Sequence, residues 1–358
     1  MTVRRVAGAL SAGLAAGVGL ERLLSRGRLA PTGTPRAQTL QTGARRTIAG
    51  PDGTRLALET FGVGNAPTVL LVHGWLCHSV VWDAQVEALA GHLELVTVDL
   101  PGHGRSTAPV SGTWSLDVLG DAVHAALAAT PSDGRVVVVG HSLGGMAVLN
   151  AARRHHDFAD RIASVVLVAT ASSTRGNARM DMGGLFGLRG LARTRRLLTA
   201  VARRVTADPD RRMPLPANDV VRLLIRAAGL GPSADGDVVA FAQQMLSSAR
   251  LDTAVSLAPA IAALDEDAGL VALADAGVPV SVLAGRRDRI IRRSQAARMI
   301  DLGAESALEL SGVGHLVPLE ATAAVNDVLE RHARAVTATG SALSRGRPSR
   351  RGRRRGKR

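Results

Sequence analysis

A candidate reactive serine, Ser142, lies within residues 140–144, which read Gly-His-Ser-Leu-Gly and match the pattern G-x-S-x-G. The apolar run at 135–140 predicts a strand before it, and residues 143–155 predict a helix after it. Glycines at such a junction allow a sharp turn that exposes the serine hydroxyl. The pattern alone could be a Gly-rich packing turn. Its strand–turn–helix setting favours Ser142 as a nucleophile.

A serine hydroxyl becomes nucleophilic only beside a base, and that base needs an acid to orient it. His315 lies in a loop after a predicted short strand near 305–311. Asp288 lies in the turn after a predicted strand at 279–285. We expect His315 to be the base and Asp288 the acid. The alternatives are a loop-stabilising histidine and an ion pair between Asp288 and a neighbouring arginine.

Ester chemistry also needs donors for a developing oxyanion. The backbone N–H of Leu143 is one candidate, because it stands at the positive end of the predicted helix. The N–H of Trp75, in the turn His73-Gly74-Trp75, is the second. Cys77 is the only cysteine, and we interpret it as a small apolar residue beside the site. The sequence thus predicts a complete constellation for acyl transfer.

The elements that must position these residues alternate between strand and helix. Strands that are apolar at every position indicate a parallel sheet covered on both faces. The predicted strands cover 54–60, 68–74, 93–100, 135–140, 162–170 and 279–285. The fold class is therefore α/β, with a mostly parallel central sheet flanked by helices. Ligands on such sheets bind beyond the carboxyl ends of the strands.

The chain divides into five predicted regions. Residues 1–44 form an N-terminal apolar helix with a linker. Residues 45–170 and 261–340 form the two parts of the core. Residues 171–260, with Gly-rich turns and four prolines, form a helical lid. Residues 341–358 form a disordered basic tail.

The net charge of +14 is concentrated at the ends of the chain. Residues 341–358 carry nine basic side chains and no acid, whereas residues 47–340 are close to neutral. We therefore expect no specific nucleic-acid partner. The apolar run at 6–20 is short for a bilayer span. We expect a cytoplasmic protein; the alternatives are a protein attached to a membrane through that run and an exported one.

Five motifs in a fixed order resemble the α/β-hydrolase superfamily, and its lid-bearing esterases, lipases and haloperoxidase-like enzymes in particular. They are HGW, DLPGHGRS, GHSLGG, GRRD and GVGH, at 73–75, 99–106, 140–145, 285–288 and 312–315. The resemblance covers residues 45–337 and implies the α/β-hydrolase fold with the triad Ser142, Asp288 and His315. Epoxide hydrolases and haloalkane dehalogenases fit poorly, because they use an aspartate where this chain has Ser142.

The resemblance predicts a serine hydrolase that cleaves a carboxylic ester through an acyl-enzyme, with no cofactor and no metal. The substrate is expected to be a small molecule with an apolar acyl group. Perhydrolysis or haloperoxidation, acyl transfer and a non-catalytic small-molecule receptor are the alternatives. An apolar stripe and several arginines along residues 188–205 predict a surface helix packed on the domain by that stripe, or alternatively a peripheral contact with anionic membranes. The oligomeric state stays open.

Overall fold

The computed structural model describes residues 43–345, apart from residues 65, 132–133, 175–210, 214 and 217. The predicted N-terminal helix, the Arg-rich stretch at 188–205 and the last residues of the basic tail lie outside this range. Among the described helices, none combines the length and the apolar character needed to cross a membrane.

Eight strands form one sheet in the order β1-β2-β4-β3-β5-β6-β7-β8. The strand bounds are β1 Ala44–Ala49, β2 Arg55–Phe61, β3 Thr68–Val72, β4 Glu94–Val98, β5 Val136–His141, β6 Ile162–Val168, β7 Val280–Gly285 and β8 Ser306–Leu310. Strands β3 to β8 all run parallel to one another, and β2 is antiparallel to β1 and β4. The predicted mostly parallel sheet is confirmed.

Helices cover both faces of the sheet. They are α1 Asp83–Leu89, α2 Leu116–Ala128, α3 Leu143–Arg154, α4 Asp219–Gly229, α5 Gly236–Ser248, α6 Leu251–Ala262, α7 Asp267–Asp275, α8 Arg293–Asp301, α9 Val317–Glu320 and α10 Thr322–Arg345. Helix α10 extends past the predicted domain boundary at residue 340. The first five residues of the predicted disordered tail are therefore helical.

The core has two layers because successive side chains of a strand point to opposite faces. In β3, Leu70 and Val72 pack into the layer beneath α2 and α3, whereas Val69 and Leu71 pack into the layer beneath α1 and α10. All five residues of β3 are buried. This explains why the central strands lack alternation in their sequence.

Helices α4, α5 and α6 are inserted between β6 and β7. The prediction that a helical insertion follows the strand at 162–170 is therefore confirmed. Side chains cap the N-termini of two of these helices. Asn218 accepts a hydrogen bond from the Val221 N–H, and Asp235 accepts one from the Val238 N–H. Such bonds satisfy amide groups that the first turn of a helix leaves unpaired.

Candidate active site

Ser142 stands in the turn between β5 and α3, with an uncommon backbone conformation of φ 50° and ψ −117°. Three backbone or side-chain bonds stabilise the turn. The Ser142 N–H donates to the Val168 carbonyl at 2.9 Å, and the Ser142 carbonyl accepts from Thr170 Oγ1 at 2.6 Å and from the Gly145 N–H at 2.9 Å. Strain of this kind persists only where the surroundings over-determine it.

Glycines around Ser142 let the backbone pack more closely than side chains would allow. A Cβ atom on Gly144 would lie 2.4 Å from the Val72 carbonyl oxygen and 2.5 Å from that of His73. A Cβ atom on Gly140 would lie 2.5 Å from the Gly145 Cα. The start of α3 therefore packs directly on the end of β3, and the motif glycines are required for steric reasons.

The structure brings the three predicted site residues together. Nε2 of His315 lies 3.0 Å from Oγ of Ser142, and Nδ1 of His315 lies 2.9 Å from Oδ2 of Asp288. Ser142 and His315 are 173 positions apart in the chain. Both are buried, as is the Asp288 side chain. A connected hydroxyl, imidazole and carboxylate is the arrangement that serine acyl transfer requires.

The bonds of Asp288 define which nitrogen of His315 carries a proton. Oδ1 of Asp288 accepts from the Ile290 and Ile291 N–H groups, each at 2.8 Å. These bonds orient the carboxylate so that Oδ2 faces Nδ1 of His315. An ionised carboxylate only accepts hydrogen bonds, so Nδ1 is the protonated nitrogen. Nε2 is then free to accept the Ser142 proton.

One candidate oxyanion donor, Leu143, follows Ser142 in the chain, and the other, Trp75, belongs to the turn that packs against Ser142. Leu143 is the first residue of α3, where an N–H has no partner within the helix. Trp75 follows Gly74, and a Cβ atom on Gly74 would lie only 3.1 Å from the Ser142 Cβ. The turn after β3 therefore approaches the serine as closely as a glycine permits. Both residues remain candidates for this role.

Three buried histidines surround the site without joining the triad. Burial lowers the pKa of His73, His103 and His141 to about 3, so all three are neutral at pH 7. Leu100 donates its N–H to Nε2 of His73, and Nε2 of His141 bonds the His315 carbonyl at 3.0 Å. His73 and His141 therefore act as hydrogen-bonding residues that stabilise the loops around the site.

Cys77 is buried near the same turn, and burial raises the pKa of its thiol to about 12. A thiol with that pKa is not ionised at neutral pH, and the thiolate is the nucleophilic form. We therefore interpret Cys77 as a small apolar residue beside the site and not as a nucleophile.

One group of potential metal ligands occurs in the described part of the chain, at His124, His155 and Asp157. The two imidazole rings are stacked, with centroids 3.9 Å apart and an angle of 5° between planes. The in-plane lone pairs of two stacked rings lie in separate, parallel planes, so they do not converge on one ion. Nε2 of His155 also bonds Asp121, and Nε2 of His124 pairs with Asp157. The group is best described as a hydrogen-bonded cluster near the surface.

Two sets of hydrogen bonds to the loop of His315 were not expected from the sequence. The His315 N–H donates to the Gly229 carbonyl at 2.6 Å, and the Glu320 carboxylate bonds the Gly314 and Leu316 N–H groups. An acid five residues after the candidate base was the available signal. Nothing in the sequence alone distinguishes it from an exposed helix residue.

Comparisons with known proteins identify the family to which the chain belongs. The family described as alpha/beta hydrolase fold matches residues 67–322. The pimeloyl-[acyl-carrier protein] methyl ester esterase of Xanthomonas campestris pv. campestris is 31% identical over 267 residues, which cover 71% of this chain and 89% of that protein.

Solved structures are similar at lower sequence identity. An esterase from Thermogutta terrifontis has a TM-score of 0.64 at 23% identity, covering 82% of this chain and 99% of the other. An esterase from Rhodococcus sp. ECU1013 has a TM-score of 0.62 at 24% identity, with coverage of 82% and 99%. At such identities the similarity establishes the fold.

Proposed function

The chain belongs to the α/β-hydrolase-fold family, and on that premise we propose that it hydrolyses a carboxylic ester through an acyl-enzyme formed on Ser142. The observation that carries this proposal is the connected series Ser142 Oγ, His315 Nε2, His315 Nδ1 and Asp288 Oδ2, with distances of 3.0 Å and 2.9 Å. The relationship to a methyl ester esterase supports the same reaction class.

In the acylation half, Oγ of Ser142 attacks the ester carbonyl carbon while its proton passes to Nε2 of His315. Asp288 stabilises the imidazolium that forms. The carbonyl oxygen becomes an oxyanion, and we assign its binding to the N–H groups of Leu143 and Trp75. When the C–O bond to the alcohol breaks, the leaving alkoxide takes the proton from Nε2. The alcohol departs, and the acyl group remains on Ser142.

In the deacylation half, water replaces the alcohol. His315 Nε2 takes a proton from the water as the hydroxide forms its bond to the acyl carbon. The second oxyanion collapses, the bond to Ser142 Oγ breaks, and the proton on Nε2 returns to that oxygen. The product is a carboxylic acid. No redox step occurs, so the two half-reactions need only the residues named above and water.

The proposal is tested with a fluorophosphonate probe, which reacts with activated serines. We expect the label on Ser142, and we expect Ser142→Ala to abolish both labelling and ester turnover. Ser142→Ala and His315→Ala should reduce kcat by similar factors, and the double variant by little more, because triad residues act as a unit.

Labelling of a different serine, or an undiminished esterase rate in Ser142→Ala, contradicts the proposal. Ser79 is a suitable control because it is a half-buried serine at the start of the short 3-10 helix Ser79–Trp82, where its backbone N–H donates to Oδ1 of Asp99. Ser79→Ala should be labelled at Ser142 like the wild type.

For the substrate, we propose an ester with an apolar acyl group. The relative from Xanthomonas campestris acts, by its name, on the methyl ester of a pimeloyl group attached to acyl-carrier protein. A nitrophenyl ester series from acetate to dodecanoate, together with methyl esters of long-chain acids, tests this proposal. We expect kcat/KM to rise with chain length. Highest activity on acetate would contradict the apolar-acyl assignment and leave the ester hydrolase assignment intact.

A further inference from the structure

The carboxylate of Glu320, at the end of α9, accepts three backbone hydrogen bonds from two separate segments. Oε2 accepts from the Gly231 N–H at 2.6 Å and from the Gly314 N–H at 2.9 Å. Oε1 accepts from the Leu316 N–H at 3.0 Å. Two of these donors directly precede and follow His315, and the third belongs to the insertion between β6 and β7.

The insertion also contacts the His315 loop without help from Glu320. The His315 N–H donates to the Gly229 carbonyl at 2.6 Å, and Ser233 Oγ donates to the Gly312 carbonyl at 2.8 Å. Arg289, next to Asp288, donates to the Ala227 carbonyl. The segment 227–233 therefore bonds the loops of both the candidate base and the candidate acid.

Glycine at position 231 permits this contact. A Cβ atom there would lie 2.0 Å from the Gly312 carbonyl oxygen and 2.8 Å from the Gly314 nitrogen. A Cβ atom on Gly314 would in turn lie 2.4 Å from the Gly231 nitrogen. The two backbones are packed too closely for a side chain at either glycine. The insertion is therefore in direct backbone contact with the loop that carries His315.

We propose that Glu320 is a positioning residue that holds His315 in place for reaction with Ser142 and links that position to the docking of insertion segment 229–231. This inference rests on the proposed function, because it assigns His315 as the base. It adds a structural dependence of the base on the insertion.

A carboxylate suits this position because it has acceptor sites for all three donors and no donor of its own. Burial raises the pKa of Glu320, while the three N–H bonds and the proximity of His315 act in the opposite direction. A glutamine would place an NH₂ group where one of the backbone N–H groups now donates. At least one buried N–H would then lose its partner, which is costly.

The test measures kcat, KM and the pH profile of kcat/KM for Glu320→Ala, Glu320→Gln and Glu320→Asp. We expect kcat to fall by roughly 10- to 100-fold in the alanine variant, because a small misplacement of a reacting group has effects of that size. KM should change little. The acid limb of the pH profile should move to lower pH in the Ala and Gln variants, which lack a negative charge near the imidazole.

The aspartate variant separates charge from geometry. It keeps the negative charge but is one methylene shorter, so it should restore the acid limb while kcat stays low. Glu305→Gln is the matched control because Glu305 is exposed, and it should behave like the wild type. If the alanine variant does not fold, the Gln and Asp variants still decide the question. Wild-type kcat and an unmoved pH profile in both would overturn the proposal.

The link to the insertion has its own test. Gly231→Ala should lower kcat as the Glu320 variants do, and the double variant Gly231→Ala with Glu320→Ala should be less than additive, because both changes release the same contact. Gly91→Ala, where a Cβ atom would meet nothing within 4 Å, is the control. Full additivity, or an active Gly231→Ala, would show that the insertion does not position the base.

Fluorophosphonate labelling distinguishes the two levels of failure. If the proposed function is wrong, the wild type is not labelled at Ser142. If only the role of Glu320 is wrong, the wild type is labelled at Ser142 and the Glu320 variants are labelled at the same rate.

Discussion

At the scale of single residues, the two carboxylate oxygens of Asp288 have different partners. The N–H groups of Ile290 and Ile291 occupy Oδ1, and only Oδ2 faces His315. A carboxylate whose main role was an ion pair with a neighbouring arginine would not require this division of its oxygens. The geometry therefore favours an orienting role.

Asp288→Asn should reduce kcat by about 10³-fold or more while the protein remains folded. The asparagine amide can donate to Nδ1 of His315, which then places the imidazole proton on Nε2 and removes the acceptor for Ser142. The measurement is kcat together with a melting curve on one preparation. A variant with near wild-type kcat and lower stability would indicate that Asp288 is only structural.

At the scale of elements, the turn at Ser142 depends on the close packing of α3 against the end of β3. Gly144→Ala adds a Cβ atom 2.4–2.5 Å from two backbone carbonyl oxygens, and backbone cannot move aside as a flexible side chain does. We expect a loss of about 1–3 kcal/mol in the free energy of unfolding. Labelling of Ser142 should also slow, because α3 carries the candidate oxyanion donor.

Urea unfolding measures the stability of this variant, and Gly64→Ala serves as its control. A Cβ atom on Gly64 would meet nothing within 4 Å, so its effect should stay within about 0.5 kcal/mol. If Gly144→Ala is as stable and as reactive as the control, the close approach at the start of α3 is not needed for the turn.

At the scale of the whole molecule, buried titratable groups determine how stability depends on pH. Burial lowers the pKa of His73, His103 and His141 from 6.5 to about 3. Between these values the unfolded chain binds protons that the folded chain does not, so stability falls as pH falls. Each such group contributes up to about 1.4 kcal/mol per pH unit. Asp83 acts in the opposite direction, since burial, Glu59 and Glu87 raise its pKa to about 7.

We therefore expect the free energy of unfolding to fall between pH 6.5 and pH 4, because the three histidines outnumber Asp83. Urea unfolding at pH 7, 6 and 5 measures the slope. His103→Asn should flatten it, since the asparagine does not titrate and can still donate to the Pro101 carbonyl. A flat profile in the wild type would contradict this account.

Some features of the protein follow from the sequence alone. Continuous apolar runs identify the central strands, because a strand buried on both faces has no polar positions. The glycines at 140–144 identify the turn at Ser142, and the positions of Asp288 and His315 after predicted strands place them at the same sheet edge. Each of these signals is local in the sequence. Because the strands are parallel, their carboxyl ends lie at one edge of the sheet, and the three residues are therefore expected there together.

Other features required the tertiary structure. Strand β1 was missed because it lies at the edge of the sheet with mostly exposed residues, so it has no apolar pattern to reveal it. The sequence left Glu320 indistinguishable from a surface acid, because its three donors come from segments up to 89 residues away. The neutral state of His73, His103 and His141 depends on burial, which a sequence does not report. Chain positions far apart in sequence acquire their bonding partners only when the sheet and the insertion pack together, and this packing decides which side chains can act on His315.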